Sequence, residues 1–241
     1  MGLDWQGDLR DLAAPLAEHL QARGHLIVGL AGPPGSGKTT LVSGVVKNLR
    51  QLDPAARPLA VSLDDVYHSR AERDARGIRF RAEPGSHDLD LASRLLTAVR
   101  RGDLRLDVPR FDHAVDDRRP SEGFDGPASL LLLEGLFVGM RAHGYGPLAA
   151  ALDYLVYVDC PIPLARARRL GREATLRKES VGTYGLSEAM MEEFWTTVLE
   201  PGIARWVRPI RETADLLIEL DAGGRVARVE ARAGRTSGPQ T

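Results

Sequence analysis

The chain has 241 residues, of which 43% are hydrophobic and 27% are charged, the proportions of an ordinary soluble globular protein. Its 32 Lys and Arg residues nearly balance its 33 Asp and Glu residues, which disfavours a dedicated nucleic-acid-binding protein. The sequence has neither a bilayer-spanning apolar run nor a secretory signal pattern, and its single cysteine, Cys160, cannot form an internal disulfide, so we expect a cytoplasmic protein without membrane contact.

The first half of the chain alternates apolar runs with helical patterns. Leu9 to Arg23 carries apolar residues at helical spacing and is followed by Gly24, a typical helix stop, so we expect residues 1–24 to form an N-terminal helical element. The rest of this half is predicted, in chain order, as a strand in HLIVGLA, a helix over 41–50, a strand in RPLAVSL, an Arg-rich loop with one short helix over 62–87, and a helix over 88–101 closed by Gly102.

The second half continues the alternation. Its predicted strands are LRLDVPRF, SLLLLEG, DYLVYVD, ADLLIEL and an edge strand in GRVARVEARA, and its predicted helices cover 161–178 and 187–208, the second broken at Pro201. Strands separated by helices favour one three-layer α/β domain over residues 25–233, with a mostly parallel central sheet. The tail, residues 234–241, has the composition of a disordered segment.

The segment after the first long predicted strand carries the most specific motif. GPPGSGKT, from Gly32 to Thr39, matches the complete G-x-x-x-x-G-K-[ST] pattern of a phosphate-binding P-loop. Glycines let backbone N–H groups point at phosphate oxygens, Lys38 can bridge the β- and γ-phosphates, and the Thr39 hydroxyl can ligate Mg²⁺. The chain has no N-K-x-D stretch of the kind used for guanine, so a GTPase is disfavoured. The predicted residues for ATP and Mg²⁺ are Gly32, Pro33, Pro34, Gly35, Ser36, Gly37, Lys38, Thr39 and Thr40.

Acidic residues fall at three predicted carboxyl ends of strands, where ligands collect in open α/β sheets. Glu134 follows four leucines, and a carboxylate there is costly to bury without a partner such as Mg²⁺ or its waters. Of the adjacent Asp64 and Asp65, one is expected to act in the chemistry and the other to cap a turn. Asp159 is expected to cap the helix that follows it.

These motifs together resemble the phosphoribulokinase/uridine kinase family of P-loop kinases, over the chain from His25 to about Leu220. DDVY overlays the family's D-S-F-Y, which implies that Asp64 is the catalytic base and that Tyr67 contacts the acceptor, with Val66 in place of the usual Phe. LLLLEGLFVG resembles the family's I-L-E-G segment and implies a metal-side acidic role for Glu134. The resemblance therefore implies a P-loop NTPase fold and phosphate transfer from ATP to a hydroxyl.

Three subgroups of that family share features with this chain. EPGSHDLDL, VPRFDH and LLEGLFVGM resemble glycerate 3-kinases, although Ala82 follows Arg81 where those have Gly, and Leu136 replaces their Trp. The C-terminal segment up to ADLLIEL resembles uridine kinases. PRFDH resembles a pantothenate kinase segment and implies that His113 contacts the acceptor. The acceptor is thus expected to be glycerate-like or a nucleoside, with pantothenate or a sugar as alternatives.

Several polar residues are candidates for the acceptor pocket. His87 and Asp88 are expected either to line it or, in the case of Asp88, to cap the next helix. Arg110, with Arg118 and Arg119, could bind an acidic acceptor.

The predicted helix after Pro161 is dense in arginine. The resemblance implies a lid over about 161–185 that closes on ATP, with Arg169 and Arg172 stabilising the transferred phosphate. These two residues lie three apart and can share one helix face. The alternative interpretations are a solvated helix face or a nucleic-acid patch, and near-neutral net charge weakens the second.

The favoured interpretation is a kinase acting on a small polar metabolite, and the rival is a non-catalytic ATP-binding module that switches contact with a protein partner. The Asp64 and Glu134 pair distinguishes them, because only a kinase needs a base beside the phosphate. A homodimer is also open, since Trp195 and Trp206 could lie in an interface, although a core position is favoured.

Overall fold

The computed structural model describes residues 7–24, 26–179 and 187–232, with side chains omitted at 176–179. Two sheets are present in these residues. The strands are β1 (Gly7–Asp8), β2 (Leu26–Ala31), β3 (Pro58–Ser62), β4 (Arg105–Asp112), β5 (Asp117–Asp125), β6 (Leu130–Gly135), β7 (Tyr154–Asp159), β8 (Leu216–Leu220) and β9 (Arg225–Ala231). The large sheet has the order β1-β9-β8-β7-β2-β6-β3, and β4 pairs with β5 in a separate two-stranded sheet.

The centre of the large sheet is parallel, as the alternation of strands and helices predicts. β3, β6, β2, β7 and β8 run in one direction, whereas β9 and β1 pair antiparallel at one edge. The central strands are continuous apolar runs because both faces of a parallel sheet are buried. In the register, Glu134 lies between Leu30 on β2 and Ser62 on β3, so the carboxyl ends of these three strands meet at one edge.

Helices cover the sheet and complete the three-layer α/β fold. They are α1 (Ala13–Gln21), α2 (Lys38–Leu52), α3 (Arg70–Ala75), α4 (Leu89–Arg101), α5 (Gly146–Ala150), α6 (Ile162–Glu179), α7 (Glu188–Phe194) and α8 (Glu200–Gly202). Short 3₁₀ turns occupy Leu63–Val66 and Arg208–Thr213. None of the helices in the described ranges combines the length and apolarity needed to cross a membrane.

The N-terminal segment belongs to the same core as the rest of the domain. Leu9, Leu12 and Leu16 are buried in the main hydrophobic cluster. β1 extends the sheet beyond β9, which the helical spacing of this segment does not predict. The helix itself is shorter than predicted, beginning at Ala13.

The prediction that Pro201 breaks the C-terminal helix is wrong. Helical structure runs on from α7 to Thr213, with π turns at Trp195–Leu199 and Ile203–Val207 on either side of α8. A proline ring collides with the carbonyl four residues earlier in a regular α-helix, and the wider π turn accommodates it. The same segment buries Trp195 completely, which confirms a core position for that residue.

Two further predictions concern residues at the limits of the description. The expected disordered tail, residues 234–241, lies outside the described residues, as does the end of the expected lid at 180–185.

The sequence does not predict strand β5, because its sequence, DRRPSEGFD, is polar and carries a proline. It forms as an exposed hairpin strand on β4, where few of its side chains need burial.

Candidate active site

The P-loop connects β2 to α2 and has the backbone that its glycines predict. Gly32 has φ 147° and Gly37 has φ 93°, both in the region that favours glycine. A Cβ atom on Gly32 would lie 2.4 Å from the carbonyl oxygen of Val158, so a side chain cannot fit between the loop and β7. The loop therefore curls tightly just before the N-terminal end of α2, where anions commonly bind.

Lys38 folds back over this loop. Its Nζ donates hydrogen bonds to the carbonyl oxygens of Gly32 and Pro33, both at 2.9 Å, and lies 3.4 Å from Ser36 Oγ. The residue is only 8% exposed. Burial lowers the pKa of Lys38, and the nearby carboxylates of Glu134 and Asp64 oppose this shift. An ammonium group held above the loop in this way is placed to contact phosphate oxygens.

Thr39 and Glu134 come together at the mouth of the loop. Thr39 Oγ1 donates a hydrogen bond to Glu134 Oε1 at 2.9 Å. Burial raises the pKa of Glu134, although the charge of Lys38 opposes this effect. A hydroxyl and a carboxylate are hard oxygen donors of the kind that Mg²⁺ prefers.

These two side chains fit a magnesium ion that is only partly held by protein. Mg²⁺ bound with a nucleotide takes one or two protein ligands and completes its shell with phosphate oxygens and water. The described residues contain no group of three or more His, Cys, Asp or Glu side chains suited to a metal. When bound, the ion would neutralise charge on the β- and γ-phosphates.

The adjacent aspartates after β3 have separate positions. Asp65 closes the 3₁₀ turn Leu63–Val66, where its Oδ2 accepts from the amide of Ser62 and its Oδ1 accepts from the amide of Phe111. It also pairs with Arg110 at 3.2 Å. The prediction that Asp65 caps a turn is confirmed, and the capping leaves Asp64 as the carboxylate free to face the site.

Asp64 lies beside two histidines and a tyrosine. Its side chain is 38% exposed, and its Oδ1 lies 3.9 Å from His87 Nε2, beyond hydrogen-bond distance. Burial acts to raise the pKa of Asp64, but His87, His113 and the Tyr67 hydroxyl outweigh it and lower this pKa to about 2. Asp64 is therefore an ionised carboxylate at neutral pH, in electrostatic contact with Lys38 and Glu134.

His113 and Arg81 lie together near Asp64. Their Nδ1 and Nη1 atoms lie 2.9 Å apart, and Arg81 also pairs with Asp116 at 3.3 Å. Burial lowers the pKa of His113, and the positive charges of Arg81 and Arg172 add to this shift while Asp64 opposes it. Tyr67 stacks on His87 with ring centroids 4.3 Å apart. The structure thus brings Asp64, Tyr67, His87 and His113 together as predicted.

The comparison with known proteins identifies the family. Residues 27–227 match the model of the phosphoribulokinase / uridine kinase family. The chain belongs to this family. It is similar to the pantothenate kinase of Clavibacter sepedonicus, at 27% identity over 239 residues covering 92% of this chain and 75% of that enzyme. It is also similar to the uridine kinase of Staphylococcus epidermidis, at 27% identity over 209 residues covering 83% and 90%.

A solved structure supports the same fold. The D-glycerate 3-kinase from Cryptococcus neoformans superimposes with a TM-score of 0.77, covering 94% of this chain and 100% of that one. Sequence identity between the two is 17%, so the likeness establishes the P-loop kinase fold alone. The predicted fold class is confirmed, and the chain is an ATP-dependent kinase with a hydroxyl acceptor.

Other residues predicted for the acceptor pocket of the kinase have structural partners. Asp88 caps α4 by accepting from the amide of Leu91 at 2.9 Å, and it pairs with Arg118 at 2.9 Å. Arg110 is held between Asp65 and Glu122. Arg119 also contacts Glu122, at 2.8 Å. These ion pairs neutralise the arginine charges that the sequence leaves available for an acidic acceptor.

The arginines of α6 divide into several groups. Arg169 pairs with Glu173 at 2.5 Å, and Arg166 pairs with Glu192 of α7. Arg168 donates to the carbonyl oxygen of Gly35 in the P-loop at 3.4 Å, a contact that was not predicted. Arg172 is exposed, and its charge acts on His113. Of the two predicted lid arginines in the kinase, Arg169 is thus paired within α6, and Arg172 is the exposed one.

Two residues near the site of the kinase differ from expectation. Asp159 pairs with Arg211 at 3.0 Å, whereas the sequence predicts a helix cap there. Tyr145 contacts His87, with its Oη 2.6 Å from Nδ1, and sequence reasoning missed it. It lies 58 residues from His87 in a segment with no motif, so no local signal could have identified it.

Proposed function

We propose that this protein transfers the γ-phosphate of ATP to a hydroxyl of a small polar metabolite, with Asp64 as the base. Asp64 supports this proposal most strongly, because it is an ionised, partly exposed carboxylate just after β3, which pairs with the strand β6 that lies between it and the P-loop strand β2. A base for phosphate transfer must orient the attacking hydroxyl and accept its proton, and such a position satisfies both needs.

The phosphate side of the proposed reaction uses the P-loop. The loop amides and Lys38 would hold the β- and γ-phosphates, and Thr39 and Glu134, which contact each other, would hold Mg²⁺. Among the described residues, the hydrogen-bond partners of Lys38 are neutral loop oxygens, which phosphate oxygens can replace without breaking an ion pair within that part of the chain.

The acceptor side favours a small, polar molecule. The ring of Tyr67, His113 and the guanidinium of Arg81 lie near Asp64 and offer ring faces and hydrogen-bond donors, whereas the buried His87 lies behind Asp64. We infer that the acceptor is glycerate-like or a nucleoside, with pantothenate as the alternative named by several relatives. Arg172 provides a positive charge for the transferring phosphate.

The test is a measurement of ADP release by the purified protein with ATP and Mg²⁺. The acceptor panel contains D-glycerate, uridine, cytidine, pantothenate and fructose, with glycerol and pantothenol as uncharged partners of the two acids. A rate that rises with one acceptor and vanishes in Asp64→Asn supports the proposal. Equal rates with glycerate and glycerol would exclude recognition of the carboxylate. No acceptor-dependent ADP release across the panel would contradict the proposed acceptor classes.

A further inference from the structure

His87 lies behind the proposed base rather than on the surface of the acceptor pocket. It is 3% exposed, and its position is set by backbone contacts between two segments. Tyr67 and His87 form an isolated antiparallel bridge, with the amide of His68 donating to the carbonyl oxygen of Ser86 and the amide of Asp88 donating to that of Val66. The imidazole is therefore fixed directly beside the 3₁₀ turn that carries Asp64.

The two ring nitrogens of His87 have different surroundings. Nδ1 lies 2.6 Å from Tyr145 Oη and 3.3 Å from Ser86 Oγ. Nε2 is buried, has no hydrogen-bond partner among the described residues, and faces Asp64 Oδ1 at 3.9 Å. Burial lowers the pKa of His87, so the neutral ring is favoured at physiological pH, and one nitrogen must carry the proton.

The neighbours of His87 determine which nitrogen that is. Ser86 Oγ donates its single proton toward the carbonyl oxygens of Arg81 and Glu83, at 2.5 and 2.7 Å, so toward His87 it can only accept. The Tyr145 hydroxyl can donate to Nδ1. An Nε2–H then points toward the negative Asp64, whereas a lone pair at Nε2 would repel it. Ser86 Oγ as an acceptor at 3.3 Å favours Nδ1–H, but the shorter 2.6 Å contact with Tyr145 as donor and the charge of Asp64 both select Nε2–H.

We propose that His87 is a positioning residue for Asp64, with Tyr145 holding its imidazole in the tautomer that directs an Nε2–H at the carboxylate. The proposal rests on the proposed function, in which Asp64 is the base. It assigns His87 to the support of the base, in place of the direct contact with the acceptor that the sequence predicts. An oriented and ionised carboxylate is what a general base requires before the hydroxyl binds.

Other charged and titratable groups also act on Asp64. Those within electrostatic range are Lys38, Asp65, Tyr67, His113, Glu134 and Tyr145. Of these, Tyr145 touches His87 Nδ1 and so can change the tautomer without removing a charge from the site. Tyr145→Phe is therefore the most selective perturbation, because it deletes one hydroxyl and keeps the ring.

The first experiment uses the free protein and needs no acceptor. Long-range ¹H–¹⁵N NMR correlations report which imidazole nitrogen of His87 is protonated, and ¹³C NMR follows the Asp64 carboxyl with pH. We expect Nε2–H in the unmodified chain. In Tyr145→Phe we expect a shift toward Nδ1–H, for which Ser86 Oγ remains an acceptor, and an Asp64 titration moved up by about one pH unit or more. Tyr157→Phe, which removes a buried hydroxyl without a partner in the described structure, is the matched control.

Kinetics supply the second readout, using the acceptor that the ADP-release panel identifies. We expect Tyr145→Phe and His87→Gln to lower kcat about tenfold or more with little change in KM. An Nδ1–H tautomer in the unmodified protein, or an Asp64 titration that both variants leave unmoved, would overturn the proposal. A rise in KM alone would make His87 an acceptor contact instead. If no acceptor is phosphorylated, the proposed function fails, and the NMR result still decides the His87–Asp64 relation.

Discussion

Replacing each of the adjacent aspartates with asparagine separates the base from the cap. Asp64→Asn keeps the shape of the side chain and removes its charge and its ability to accept a proton. Asp65→Asn removes the same charge one residue away, from a carboxylate that accepts from the amides of Ser62 and Phe111 and pairs with Arg110. The two variants are therefore matched in chemistry and differ only in position.

The expected magnitudes follow from these contacts. Loss of a general base lowers the rate of phosphate transfer by about 10²- to 10⁴-fold, or about 3 to 5 kcal/mol of transition-state free energy. Asp65→Asn weakens a cap and an ion pair, together about 2 kcal/mol of unfolding free energy. In a chain of this size that loss lowers the melting temperature by about 4 to 8 °C. Asp64→Asn should thus affect turnover, and Asp65→Asn mainly stability.

The pH dependence of stability provides a second difference. The pKa of Asp64 is lowered to about 2 in the folded protein, below its value of about 4 in an unfolded chain. The folded state therefore binds fewer protons between these values, so Asp64 contributes stability above the unfolded pKa and loses it as pH falls toward 2. Asp64→Asn should show a shallower loss of stability from pH 4 toward 2 than the unmodified chain.

The assay combines ADP release at saturating ATP with denaturation midpoints at each pH. Normal nucleotide affinity in Asp64→Asn, measured by calorimetry, shows that the P-loop is intact. If Asp65→Asn abolished turnover while Asp64→Asn retained it, the assignment of the base would be displaced by one residue. If both variants kept full turnover, neither carboxylate would be the base.

Three further changes test the phosphate side. Gly32→Ala should abolish ATP binding, because its Cβ would lie 2.4 Å from the Val158 carbonyl oxygen. The control Gly77→Ala, at φ 67° with open space around the new Cβ, should lower the unfolding free energy by only about 1 to 2 kcal/mol and keep ATP affinity. Thr39→Val, which lacks the metal-ligating hydroxyl, should raise the Mg²⁺ concentration for half-maximal rate about tenfold, and an unchanged requirement would remove Thr39 from the metal site. Arg172→Gln should lower kcat at least about tenfold with ATP affinity kept, measured by initial rates, and an unchanged kcat would contradict its role.

Local patterns were sufficient for most of the fold. The apolar runs of β2, β6 and β7 predict buried parallel strands because both faces of such a strand need hydrophobic cover. Gly102 ends α4 with φ 70°, as its position after a helical pattern predicts. The predictions that failed concern segments without such a local pattern. β5 is too polar to be recognised as a strand, and the π turns around Pro201 depend on packing.

The candidate active site also contains some features that the sequence predicts and others that it does not. The P-loop residues could be identified from sequence because phosphate binding needs a continuous motif. The pair Asp64 and Asp65 could be singled out because it follows a predicted strand, at the end where ligands collect in open α/β sheets. The roles of the arginines could not be predicted from sequence, because the partner of each charged side chain depends on which residues the fold places beside it. Arg110 meets Asp65 and Glu122, while Arg172 stays exposed near His113.

The sequence by itself determined a nucleotide-binding α/β kinase with its phosphate loop and its pair of candidate bases. Only the tertiary structure showed that Asp65 is also held by the amide of Phe111, which comes from another strand. It also decided that His87 lies behind Asp64 and that Tyr145 touches it. Contacts between residues far apart in the chain leave no local pattern, because they arise when separate elements pack against one another.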